Sequence, residues 1–136
     1  MEHNPQAALV FVYNAESGLF NLAADMAHKA FSPQTYQCQL CALTHSTFGM
    51  RKGWKQFLET LKRPLEFLHA DELRQRYSIS RLPLPAVFRK DGDRLELLLD
   101  ADTINRCQTL EDLQQLISDK TQRLITEDRE MGEAIQ

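Results

Sequence analysis

Tyr36-Gln-Cys-Gln-Leu-Cys-Ala-Leu-Thr-His45 is the stretch on which the reading of this chain turns. It holds two of the three cysteines in a C-x-x-C spacing, with a histidine four residues after the second. Cysteines so spaced have three common uses. One is a redox pair, in which one thiolate attacks a disulfide and the other resolves the mixed intermediate. Another is half of a tetrahedral zinc site. The third has no chemistry, since free cysteine is among the most buried residue types. If 35–43 is a strand, alternation places Tyr36, Cys38, Leu40 and Ala42 on one face and Cys41 and Leu43 on the other. The two sulfurs then point apart. Pairing them requires the strand to end near Cys38, with Cys41 in a turn or helix start, and the residues leave both options open.

The rest of the chain bounds the problem. A length of 136 residues fits one domain with a sizeable core. Hydrophobic content of 43% and charged content of 26% are ordinary for a globular protein. The net charge is −3, acids and bases are mixed, and no basic stripe stands out, so nucleic acid is not an expected partner. The polar start, 1–6, and the short apolar run 7–13 lack the form of a secretory leader. No run approaches the roughly 18 apolar residues that span a membrane. The expected location is the cytoplasm, where a C-x-x-C is more often catalytic or metal-binding than structural.

Outward from the cysteines, the elements alternate. The run 8–13, Ala-Leu-Val-Phe-Val-Tyr, reads as a strand buried on both faces. Asn14-Ala-Glu-Ser-Gly18 is a turn, and 19–31 is a helix with Leu19, Leu22, Ala23, Met26, Ala27 and Ala30 on one face. His28 lies beside that stripe, and Ser32-Pro33 ends the helix. Past the cysteines, 44–49 reads as a loop. Residues 50–61 form an amphipathic helix with Trp54, Phe57, Leu58 and Leu61 inward, and Lys62-Arg63-Pro64 closes it. A short strand over 65–69 and a helix over 71–77 follow. Residues 82–88 lead into a strand, Asp91-Gly92 makes a hairpin turn, and 94–100 returns. Thr109-Leu-Glu-Asp112 opens the last helix as a capping-box variant. The domain spans 1–124, and 125–136 is a polar C-terminal tail, read as a frayed helix or as disorder.

This order resembles the thioredoxin-like superfamily, of which the chain looks like a divergent member, over roughly 8–124. Three features carry the resemblance. The C-x-x-C ends the second strand, Leu84-Pro85-Ala-Val-Phe88 is similar to the segment where the family places a cis-proline beside its cysteines, and Asp91-Gly92 sits at the family's hairpin. Pro83 is a second candidate for the proline. The resemblance implies an α/β three-layer sandwich: a mixed sheet of four to five strands with helices on both faces. The family pattern, Trp-Cys-Gly-Pro-Cys, is altered here, since Gln39 and Leu40 separate the cysteines and no tryptophan precedes Cys38. In a second register, similar to a glutaredoxin-like protein, the turn at 14–18 takes the active-site position and holds no cysteine.

The functional expectation is a thiol-disulfide redox protein. Cys38 is the nucleophile, Cys41 the resolving thiol, Pro85 and Leu84 the substrate groove, and His45 a proton-transfer partner. It needs no cofactor, and its partner is an unidentified protein or peptide. Two alternatives stay open. One is a zinc-stabilised domain on Cys38, Cys41 and His45, with a fourth ligand from His28, His69 or Cys107. The other is a non-catalytic binding module of the same fold. No glycine-rich phosphate loop is present, and Asp100, Asp102, Glu111 and Asp112 read as loop and cap residues.

Overall fold

The computed structural model describes residues 7–16, 38–46 and 49–135. The helix expected over 19–31, its proline stop, His28 and residues 35–37 of the expected strand lie outside the described residues.

The first strand, β1, is Ala8–Val12. Leu9 and Phe11 enter one core and Val10 and Val12 another, and all four are fully buried. A strand with apolar side chains on both faces belongs in the middle of a sheet. Each such side chain contributes about 1.5–3 kcal/mol relative to leaving it in water.

Three short elements follow. Helix α1 is Gln39–Thr44, β2 is His45–Ser46 and β3 is Gly49–Met50. The strand expected over 35–43 is therefore helical from Gln39 onward. The loop expected at 44–49 contributes to a two-stranded antiparallel pairing, His45 opposite Met50.

Helix α2, Lys52–Leu61, buries Trp54 and Leu58 and ends on Lys62 in the left-handed conformation. Strand β4 is Leu65–Leu68, and helix α3 is Ala70–Tyr77. Strands β5, Ala86–Asp91, and β6, Arg94–Leu99, form the expected hairpin, with Gly92 at φ 64° in the turn. Helix α4, Ala101–Asn105, starts on Asp100, whose carboxylate accepts from the Thr103 N–H. Helix α5 is Leu110–Ile135, so the segment expected as a polar tail continues the last helix.

The main sheet has the order β4-β1-β5-β6. β1 is parallel to β4, with Val12 opposite Leu68. It is antiparallel to β5, with Val12 opposite Ala86. β5 and β6 are antiparallel, with an irregularity at Val87/Phe88. The molecule is thus a mixed α/β protein, its early strands parallel and its late hairpin antiparallel. One face carries Leu9, Phe11, Tyr13 and Val87 under residues of α1, α2, α4 and α5. The other carries Val10, Val12 and Phe88 under Leu73 of α3. Both cysteines of the C-x-x-C belong to the first face.

Candidate thiol-disulfide site

Cys38 and Cys41 are joined as a disulfide, with their Cα atoms 5.2 Å apart. The helix makes this possible. Cys38 is the N-cap of α1 and Cys41 lies in its first turn, so the two side chains rise on one side of the helix instead of alternating across a strand. Local packing selects the helix over the strand. Leu40 and Thr44 are fully buried four residues apart, and the Thr44 hydroxyl donates to the Leu40 carbonyl at 2.6 Å. That spacing is a helical one.

The two sulfurs differ. Cys38 keeps 7% of its surface exposed and Cys41 only 2%. Cys38 Sγ accepts from the Cys41 N–H at 3.2 Å and from the Asn14 N–H at 3.4 Å. Asn14 lies just past β1, so the disulfide sits at the C-terminal end of the central strand despite the long sequence separation. Gln39 fixes the other side of the turn. Its N–H donates to Asn105 Oδ1 at 3.3 Å, and its Nε2 donates to the Cys107 carbonyl at 2.6 Å.

Pro85 is brought to the same end of the sheet. It is buried, and it immediately precedes Ala86, the partner of Val12. The Leu84–Pro85 peptide bond is cis. Leu84 is half-buried and packs against the opposite face from the disulfide. Pro83 is exposed.

His45 caps the C-terminus of α1, its backbone N–H donating to the Cys41 carbonyl. Its ring Nδ1 lies 2.8 Å from Thr44 Oγ1. The same Thr44 hydroxyl reaches the Leu40 carbonyl, so one side chain links the ring to the turn of α1 before it. Burial holds the imidazole pKa below its ordinary value, helped by the charges of Arg51 and His69. Tyr13 stands between the two histidines, 5.4 Å from the His45 ring and 5.8 Å from the His69 ring. Burial pushes its phenol pKa up, partly opposed by a hydrogen bond with Thr44. His69 opens α3 and pairs with Glu72 at 2.9 Å.

Tyr13, Thr44, Gln39 and Asn105 escaped the sequence reading. Thr44 had one available signal, its position beside His45 and four residues after Leu40. Tyr13 read only as the end of an apolar strand.

Cys107 is a buried free thiol whose pKa is raised by burial and then by the charge of Asp112. With Cys38 and Cys41 in a disulfide, neither offers a thiolate to a metal. Among the described residues no group of three or more His, Cys, Asp or Glu side chains could hold a metal ion. No helix among them is long and apolar enough to cross a membrane. No protein-family model, curated protein or solved structure matches the chain.

Proposed function

We propose that this protein is a thioredoxin-like thiol-disulfide redox protein working through Cys38 and Cys41. The observation that carries the reading is the disulfide itself, closed across the first turn of a helix with the less deeply buried cysteine at the cap. The sheet order adds support, with its parallel β1/β4 pair and antiparallel hairpin. So does the placing of Pro85 at the sheet end that carries the cysteines.

Starting from the dithiol, the Cys38 thiolate attacks one sulfur of a substrate disulfide and expels the other as a thiolate. The Cys41 thiolate then attacks Cys38 Sγ, expels the second substrate thiolate and restores the Cys38–Cys41 bond. Two electrons pass to the substrate, and solvent takes and supplies the protons. An external dithiol reductant resets the pair. The two N–H donors at Cys38 Sγ favour its thiolate, which suits it to the attacking role. Cys41, deeper in the core, suits the resolving role. A cytoplasmic setting fits a pair that cycles, and Pro85 would border the substrate.

The test is a thiol titration of the native protein before and after reduction, with and without a chelator, and with metal content read in parallel. The expected result is two thiols that appear on mild reduction, Cys38 reacting well before Cys41 and Cys107, with no bound metal. Thiols reactive only after unfolding would overturn the reading and leave a binding module. One equivalent of zinc, with thiols released only by the chelator, would replace it with a zinc-stabilised domain on Cys38, Cys41 and His45.

A further inference from the structure

The charges of the sequence are mixed, yet three cations come together at the start of α2, the first of them bonded to the disulfide helix. Arg51 precedes α2, and Lys52 and Lys55 follow in its first turn; all three are exposed. Arg51 is fastened to α1. Its N–H donates to the Thr44 carbonyl at 2.8 Å, and Nη2 donates to the Ala42 carbonyl at 3.3 Å. Carbonyls carry no full charge, and among the described residues no carboxylate pairs with the guanidinium. Arg51 and Lys55 are four residues apart and share one side of α2.

The carbonyl end of α1 accounts for Arg51, but among the described residues nothing accounts for Lys52 and Lys55. The N-terminal end of a helix favours acids and disfavours cations, yet the first turn of α2 has no acid and no side-chain cap. Among the described residues no ion pair involves Arg51, Lys52 or Lys55. Two carboxylates at the same end of the sheet are engaged elsewhere, Glu16 with Arg74 at 2.7 Å and Glu72 with His69 at 2.9 Å. His45, held towards its neutral form, adds little charge. Glu59 follows Lys55 by four residues on α2, yet the two form no ion pair. A local positive patch on a chain of net charge −3 directs an approaching anion to one place on the surface.

We infer that the redox partner is a polypeptide whose disulfide is flanked by carboxylates, drawn towards Cys38 by Arg51, Lys52 and Lys55. The inference rests on the thiol-disulfide reading above and adds the charge class of its substrate. Exchange follows the same two steps, with two electrons passing from the dithiol to the partner's disulfide and a dithiol reductant resetting the pair.

The experiment uses the full chain, reduced with dithiothreitol and desalted. Second-order rates are measured with glutathione disulfide, which is anionic, and with cystamine, which is cationic, at low and high salt. Wild type is compared with R51E/K55E and with the neutral R51Q/K55Q. The expected result is a fall of roughly tenfold with glutathione disulfide on charge reversal, a rise with cystamine, and convergence at high salt. The glutamine variant falls between, and it carries the test if the reversal variant does not fold. Rates with both reagents that ignore the substitutions and the salt would overturn the inference while leaving the redox reading intact. Absence of exchange with either reagent in the wild type would overturn both.

Discussion

Helices α5 and α1 both open on a side-chain cap, and the caps differ in kind. At α5 the Thr109 hydroxyl accepts from the Asp112 N–H at 3.1 Å, and Asp112 Oδ2 returns the favour by accepting from the N–H groups of Thr109 and Gln108 at 3.2 and 3.0 Å. At α1 the acceptor is the sulfur of Cys38. Oxygen is a good acceptor and its cap does not depend on a redox bond, whereas sulfur is a weak one. Helix α5 runs 26 residues, but α1 has only six, far below the length at which a helix sustains itself. The helix of the candidate site is therefore conditional. Beyond the packing of Leu40 and Thr44, a covalent link and the Gln39 tethers hold its first turn, while α5 stands on local chemistry and packing.

The contrast can be broken or sharpened by experiment, and the largest effect is chemical. Cys38→Ala should lower disulfide exchange by roughly a thousandfold or more, as loss of a nucleophile does. Thr109→Ala should leave the exchange rate unchanged. Comparable losses in both variants would show that exchange follows global stability and not the pair. Stability comes next. Replacing both Cys38 and Cys41 by alanine should cost about 2–3 kcal/mol in denaturant unfolding, from the small closed loop and the lost cap. Thr109→Ala should cost about 1 kcal/mol.

Reduction should then act on one helix alone. The Ala42 amide, bonded to the Cys38 carbonyl at 3.0 Å, should lose hydrogen-exchange protection, while Leu113, bonded to Thr109 at 3.3 Å, keeps it. Equal loss at both amides would erase the distinction between a conditional helix and an autonomous one.

The smallest effect is one of pH at the end of α1. The His45 pKa is held below its ordinary 6.5 in the folded state. The unfolded chain therefore binds more protons in the interval just below that value, and stability rises with pH there. Its contribution is complete above about pH 6.5 and is lost as pH falls through the folded-state value. His45→Gln should flatten that part of the stability profile, and an unchanged profile would remove His45 from the account.

The same contrast explains what the sequence made legible. The capping box at Thr109, the Asp91-Gly92 turn and the central strand at 8–12 rest on nearest neighbours or on a two-residue period, and all three were readable. So was the inward face of α2, with Trp54 and Leu58. Helix α1 was not, because 35–40 alternates polar and apolar residues as a strand does, and the run 41–43 is too short to show a helical period. Its helicity depends on Asn14, Asn105 and Cys107, which lie far away in sequence. Helix α4 was too short to show a period, although its cap, Asp100, was recognised as a cap or loop residue. The site was half visible. Cys38 and Cys41 announced themselves by spacing, while Tyr13 and Thr44 joined them only through the fold.

The chain has a single tryptophan, and the fold has put it where it can report. Trp54 is fully buried, edge-on to Phe11 at 5.6 Å and stacked on Phe57 at 5.7 Å, in the same core as Cys38 and Cys41. Its emission therefore comes from one known environment, buried in the folded protein. A shift to longer wavelength on adding reductant would be an optical readout of how far opening the disulfide loosens that core, obtained without any label.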